Sequence, residues 1–385
     1  MTLKILIAPS GFKESLEADQ VADCIEKGIL LALPDAQIIK APLVDGGEGF
    51  TKAIVDATDG ELHHITVTGP TGRPVEASYG YIGGDGPNTA VLEIATAAGL
   101  RLIPHEDRNP LFTTTYGVGE IIKAVLDSGT ERILIGCGDS GTNDGGVGMA
   151  EALGARFLDT NGKNLGRGGG ELARLAKIDL DRLDRRLSNI EIDVACNWQN
   201  FLCGPMGVSR VYGAQKGAPP ENVEVLASAF ENLATVIGLE LGLDVREMPG
   251  GGASGGLGAG LYAFLGAKLH PRYEIMTKYL EVEDLLKNTD LVFTAEGAID
   301  GQTPRGKIPS EIAKHAKHYR LPVIVLAGSI GENARSNLSC GIDSYVSILN
   351  TPYTLSEAIE NTSEMLVDTT EQVMRTLMVG QKLVS

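Results

Sequence analysis

Six glycines crowd the thirteen residues from Gly136 to Gly148, between the apolar run Arg132 to Gly136 and a helix-like segment that starts at Val147. The same order of strand, glycine-bearing loop and helix occurs near the start of the chain. Lys4 to Ala8 reads as a strand, Ser10-Gly11-Phe12-Lys13 as its loop, and Leu16 to Leu33 has helical periodicity. Gln37 to Ala41 then leads into Asp45-Gly46-Gly47-Glu48-Gly49 and a helix over Thr51 to Thr58. Such repetition calls for parallel sheets with crossover helices, because parallel neighbours cannot be joined by a short hairpin. Glycine lets the backbone turn sharply and come close to another backbone or a ligand. The chain has 49 glycines in 385 residues, nearly twice the usual ~7%. With no G-x-y period and no Pro-rich tract, the surplus excludes collagen and argues for a folded chain.

The middle of the chain reads differently. His64 to Thr68 and Pro74 to Ile82 alternate apolar and polar residues around Gly69-Pro70-Thr71-Gly72, the pattern of an antiparallel pair. Thr89 to Ile94, Arg132 to Gly136 and Ile192 to Cys196 add strands, and Val118 to Asp127 and Val147 to Leu153 add helices. Towards the end come a strand at Leu291 to Ala295, a helix at Ser310 to Tyr319 after Pro309, a strand at Pro322 to Leu326, and one long closing helix from Leu355 to Leu377. The expected fold is α/β: a Rossmann-like parallel-sheet domain of three α/β/α layers with a second α/β domain inserted in it. Residues 1–62 and 285–385 are assigned to the first and 63–284 to the second, a mixed α/β domain.

A net charge of −17 without a basic tract disfavours nucleic acid and anionic membrane as partners. No run reaches the ~18 apolar residues of a membrane span. The five scattered cysteines lack a C-x-x-C pair, which suits reduced thiols, and the reading is a cytoplasmic chain, monomeric or homodimeric. Any anionic ligand must then be held locally, by lysines, backbone N–H groups or a metal.

Six loops are candidates for that task. Lys13 follows the first strand, where open parallel sheets bind ligands, and can hold a phosphate or carboxylate; a solvated helix-start lysine is the plainer alternative. Asp45 to Gly49 offers two carboxylates among three glycines. Gly136 to Gly148 resembles a nest of N–H groups, with no dinucleotide fingerprint. Cys196 to Gly217 holds the only tryptophan and several amides, which suit a polar ligand or a turn whose Trp198 plugs the core. Gly250 to Gly260 is a glycine run leading into a helix. Gly301 to Lys307 fits G-x-x-x-x-G-K, but Ile308 stands where a P-loop needs Ser or Thr. Glu296 and Asp300 nearby suit Mg²⁺, and Arg305 and Lys307 suit phosphates.

In order along the chain, Phe12-Lys13-Glu14-Ser15-Leu16, Asp45-Gly46-Gly47-Glu48-Gly49, Thr114-Thr115-Tyr116-Gly117, Thr142-Asn143-Asp144-Gly145-Gly146 and Gln215-Lys216-Gly217-Ala218 resemble the type I glycerate kinase family. Glu296-Gly297, Ile299-Asp300, Gln302-Thr303 and Gly306-Lys307 complete the set, which covers nearly the whole chain. The resemblance implies ATP-dependent phosphorylation of D-glycerate to 2-phosphoglycerate, with an active site in a cleft between two domains. Ser10, Gly11, Asn197 and Phe201 depart from the family's usual A-P-D-S-F-K and A-C-D-V-x-N-P-L, so two carboxylates are missing from site loops. A kinase of a related small hydroxy acid, or a non-catalytic hydroxy-acid-binding protein, are the alternatives. On this reading Asp45 is the general base, and Lys13 and Lys307 stabilise phosphoryl oxygens. Glu296 and Asp300 hold Mg²⁺. Substrate and phosphate contacts fall to Ser10, Glu48, Asn143, Asp144, Asn200, Arg210, Lys216, Gly252, Ser254, Thr303 and Arg305.

Overall fold

The computed structural model describes residues 2–12, 15–43 and 46–384, apart from the side chains of Arg305 and Val384. Lys13 and Asp45 lie outside the described residues. In chain order the strands are β1 Lys4–Ile7, β2 Gln37–Lys40, β3 Glu61–Thr68, β4 Pro74–Tyr81, β5 Thr89–Glu93, β6 Arg132–Cys137, β7 Arg156–Leu158, β8 Lys177–Asp179, β9 Glu191–Cys196, β10 Lys268–Pro271, β11 Leu291–Ile299, β12 Val323–Ile330 and β13 Ser344–Ser347. The chain divides into two compact units, Met1–Val44 with Met276–Ser385, and Asp45–Ile275.

The first unit is built on a sheet of order β13-β12-β11-β1-β2 in which every neighbouring pair is parallel. Its inner strands β1, β11 and β12 are apolar on both faces, as a sheet covered on both sides requires. Ile5, Ile7, Phe293 and Leu326 pack on the helices Ala18–Ala32 and Thr362–Val384, and Leu6, Val292 and Val325 on the opposite face are buried as well. The two helices touch closely at Gly28, where a Cβ would fall 2.5 Å from Val367 O.

Three details differ from the sequence reading. β11 runs on through Glu296 to Ile299, so Glu296 sits on a strand. The next helix spans Ile308–His318 rather than starting at Ser310, with Lys307 at its N-cap; Pro309, lacking an N–H, is tolerated inside a first turn whose N–H groups have no helical acceptor anyway. The closing helix is two, Leu355–Glu360 and Thr362–Val384.

The second unit carries a sheet of order β10-β9-β6-β5-β4-β3. β10, β9, β6 and β5 are parallel, and β3 and β4 form the antiparallel hairpin. The register aligns Glu93, Gly136 and Ala195 in one row at the strands' C-terminal ends, with Cys137 beside Cys196 just beyond. The glycine loops leave from this edge. The helix Pro220–Leu241, which the sequence reading left out, starts on a proline and is closed by left-handed Gly242. Among the described residues no helix is long and apolar enough to cross a membrane.

Candidate active site

In the second unit, glycine lets three loops stack at the sheet edge. A Cβ on Gly136 would stand 2.7 Å from Gly46 O, and one on Gly138 would stand 2.5 Å from Gly47 Cα. The segment Gly46–Gly49 therefore rests directly on the start of the Gly136–Gly148 loop. Asp139, left-handed at φ 49°, accepts a hydrogen bond from Glu48 N at 3.2 Å. The Glu48 carboxylate pairs with Arg101 Nε at 2.5 Å. Glu93 accepts from Gly49 N at 3.2 Å and Thr51 N at 2.9 Å. Burial pushes the Glu93 carboxyl up to about 7, although those N–H groups pull the other way.

Further along, Asp144 is 1% exposed. It accepts from Thr115 N at 2.7 Å, Thr115 Oγ1 at 3.0 Å, Thr114 Oγ1 at 3.3 Å, Gly146 N at 3.2 Å and Gly148 N at 3.3 Å. Its carboxylate is thus consumed in tying the start of the helix Tyr116–Asp127 to that of Val147–Ala152. Lys216 is likewise spent: its Nζ donates to Ser140 Oγ at 2.8 Å, Thr142 O at 2.7 Å and Asn143 Oδ1 at 3.1 Å. Burial among these neutral acceptors pushes its pKa down to about 7, against the pull of the Asp144 charge.

In its ammonium form Lys216 donates to all three acceptors and so faces the oxygen of the Asn143 amide. Nδ2 of Asn143 is then left buried without an acceptor among the described residues, and so are the hydroxyls of Thr142 and Ser254. The loop after Gly250 closes over this point: a Cβ on Gly255 would lie 1.8 Å from Thr142 O, and Gly145 N donates to Gly255 O at 3.1 Å. Ser254, Gly255 and Gly256 are all left-handed, so regular helix begins only after them. Buried polar groups without partners are rare and costly.

Other expected contacts in this unit are engaged elsewhere. Arg210 forms an exposed fork with Glu224 and donates to Gly204 O at 2.7 Å. Asn200 Oδ1 accepts from Tyr212 Oη at 3.3 Å, and Asn200 O accepts from Gly252 N at 2.9 Å. Trp198 is 40% exposed, so it is no core plug.

In the first unit, Ser10 is buried and its Oγ donates to Ala295 O at 2.9 Å, pinning the first loop to β11. Asp300 Oδ1 accepts from Gln302 N at 2.8 Å, Thr303 N at 3.1 Å and Thr303 Oγ1 at 3.3 Å. Burial works to raise its pKa, but these donors and the Lys307 charge outweigh it and hold the carboxyl below the usual range. Lys307 Nζ donates to Ala298 O at 3.1 Å and lies 3.6 Å from Asp300 Oδ2. Asn337, absent from the sequence reading, donates from Nδ2 to Asp300 O at 2.9 Å. Thr303 is thus an internal pin, and the Arg305 side chain lies outside the described residues.

No cluster of three or more His, Cys, Asp or Glu side chains placed to hold a metal occurs among the described residues. Mg²⁺ ordinarily takes one or two carboxylates and completes its shell with water and phosphate oxygens. Glu296 on β11 and Asp300 just past its end, with Asp300 Oδ2 3.6 Å from Lys307 Nζ, match that donor set.

The profile of the Glycerate kinase family matches residues 5–378. The chain belongs to the glycerate kinase family. It is therefore an enzyme of the kinase class. It is 44% identical to a glycerate kinase of Bacillus subtilis (strain 168) over 381 residues, 99% of each chain. To a glycerate 2-kinase of Escherichia coli (strain K12) it is 45% identical over 380 residues, again 99% of each. A solved structure from Salmonella typhimurium LT2, provisionally described as a glycerate kinase 2, superposes with a TM-score of 0.82 at 47% identity, covering 99% of this chain and 100% of that one. The sequence signal for Glu93 is slight: one carboxylate closing an apolar strand. Asn337 carries none.

Proposed function

We propose that the chain transfers the γ-phosphoryl group of ATP in line to D-glycerate, giving 2-phosphoglycerate. The observation that carries this reading is the near-full-length similarity to a glycerate 2-kinase. The buried, acceptor-less donors of Thr142, Asn143 and Ser254 support it, because glycerate and ATP are both oxygen-rich anions. Phosphoryl transfer asks for positioning and charge neutralisation more than covalent catalysis. Asp45 takes the proton of the attacking hydroxyl. Lys13, Lys307 and Arg305 neutralise phosphoryl charge, and Glu296 and Asp300 hold Mg²⁺. When bound, the metal supplies Lewis-acid neutralisation of the phosphate oxygens. Asn143 and Ser254 donate to the anion, while Asp144 and Lys216 hold the loop that presents Asn143.

The test is ADP release with and without Mg²⁺ and with and without D-glycerate, with the product's phosphorylated carbon read by ³¹P-coupled NMR. Release that needs both, with phosphate on C2, is the expected result. Release only with another C3 or C4 hydroxy acid moves the substrate to that acid. No release across such a panel overturns the kinase reading in favour of hydroxy-acid binding alone.

A further inference from the structure

Glu93 has no part in the roles above, yet it is among the most buried carboxylates of the second unit, at 5% exposed. It closes β5 and turns both oxygens on one target: Oε1 accepts from Gly49 N at 3.2 Å and Oε2 from Thr51 N at 2.9 Å. These N–H groups flank Phe50, the first residue of the helix Phe50–Ala57, and Gly49 before it is left-handed at φ 84°. A serine or threonine at the N-cap would satisfy such a helix without burying a charge. The carboxylate instead reaches in from another strand and grips the segment from the side.

The remaining sides of the segment are also fixed. Gly136 and Gly138 leave no room for a side chain beneath Gly46 and Gly47, and a Cβ on Gly46 would stand 3.1 Å from Ala195 O. Asp139 accepts from Glu48 N at 3.2 Å. The backbone of Gly46–Gly49 is therefore seated on β6 and β9 and drawn down by two carboxylates. Asp45 precedes this segment directly in the sequence.

We propose that Glu93 is a positioning residue of the phosphoryl transfer: by holding the Gly49 and Thr51 N–H groups it fixes the segment that carries Asp45 at its leading end. The proposal rests on the reading of Asp45 as the base. Glutamine has nearly the same shape but turns an NH₂ towards one of the two N–H donors, so Glu93→Gln releases half of the grip. Glu93→Asp keeps the charge on a shorter arm.

The experiment uses the full chain with Mg²⁺, ATP and D-glycerate. Glu93→Gln is expected to lower kcat about tenfold to a hundredfold, the scale of a small misplacement of a reacting group. KM for both substrates is expected to stay within about threefold, as for a loss confined to the transition state. Glu93→Asp is expected to recover part of kcat, and amide exchange at Gly49 and Thr51 is expected to rise in Glu93→Gln. Should Glu93→Gln fail to fold, Gly138→Ala presses on the same segment from the opposite side and is expected to show the same split. The proposal is overturned if the folded variant keeps kcat within about twofold of wild type, or loses only KM, while Asp45→Asn is inactive. Normal turnover by Asp45→Asn instead removes the base, and the proposal with it, whatever Glu93→Gln does.

Discussion

Replacing Asp144 with alanine separates a scaffold role from a ligand-binding one. The carboxylate is the acceptor for three backbone N–H groups, those of Thr115, Gly146 and Gly148, and for the hydroxyls of Thr114 and Thr115. The hydroxyls can turn to other acceptors; the backbone donors cannot. Each buried donor left without a partner costs about 1–3 kcal/mol, and relief from burying a charge offsets part of the sum. The expected net loss is about 3–5 kcal/mol, large for a single substitution. Trp198 is the only tryptophan and lies in the same unit, so its fluorescence during urea unfolding reports that unit, while circular dichroism reports both. The early shift should appear in the fluorescence first. Burial raises the folded-state pKa of Asp144 above its unfolded value. The folded wild type thus binds more protons than the unfolded chain in that interval, and its stability falls as pH rises through it. The alanine variant has no such slope, so the wild-type advantage should narrow with rising pH. A fluorescence transition moved by less than about 1 kcal/mol, together with lost glycerate-dependent turnover, would refute the scaffold argument and return Asp144 to ligand contact.

Lys216→Met strips the donor from three buried acceptors and should cost about 2–3 kcal/mol. Because the folded Lys216 has its pKa pushed down to about 7 from 10.5, the unfolded chain binds the extra proton between those values; wild-type stability should rise with pH across that window in urea titrations, and the variant's should not. Thr142→Val removes a buried hydroxyl that has no partner among the described residues, so the unfolding midpoint should hold or rise while KM for an anionic substrate increases about tenfold, the cost of one hydrogen bond. Asp193, 2% exposed, bonds Arg132 Nε at 2.9 Å and His270 Nε2 at 2.7 Å. Asp193→Ala removes the carboxylate that both Arg132 and His270 face, and about 1–3 kcal/mol should be lost at neutral pH. Burial raises the Asp193 pKa, but Arg132 and His270 outweigh it and hold it low; that stability should vanish as pH falls through the folded pKa, bringing wild type and variant together in acid.

How far the sequence carried depended on whether a property was local. β1, β5, β6 and β9 announced themselves as short β-branched runs, and the β3–β4 hairpin through its Gly69–Gly72 turn. The helix Pro220–Leu241 escaped because its apolar residues are diluted by alanine and charge. The glycine loops were legible as places of close approach, and Gly136, Gly138 and Gly255 are such places. What glycines could not reveal is which neighbour approaches. Asp144 and Lys216 were noticed as charges in loops, but a charge that binds a ligand and one that ties two loops together look alike in one dimension. Only the fold counts their partners. Glu93 makes the same point in reverse, since its partners lie more than forty residues away in the chain.

The position of β1 has a consequence for how the protein is made. It lies inside its sheet between β2 and β11, and its partner rows on β11 begin at Leu291. During synthesis from the N-terminus, β1 and β2 emerge first yet wait for their next partner strand until Leu291 has followed. The unit Asp45–Ile275 has the last of its own strands by Pro271, before Leu291 is reached. A nascent chain therefore completes its middle while its beginning waits, an exposed apolar β1–β2 pair of the kind that chaperones shield. Closure of the first sheet, which joins strands so far apart, is the late and slow event.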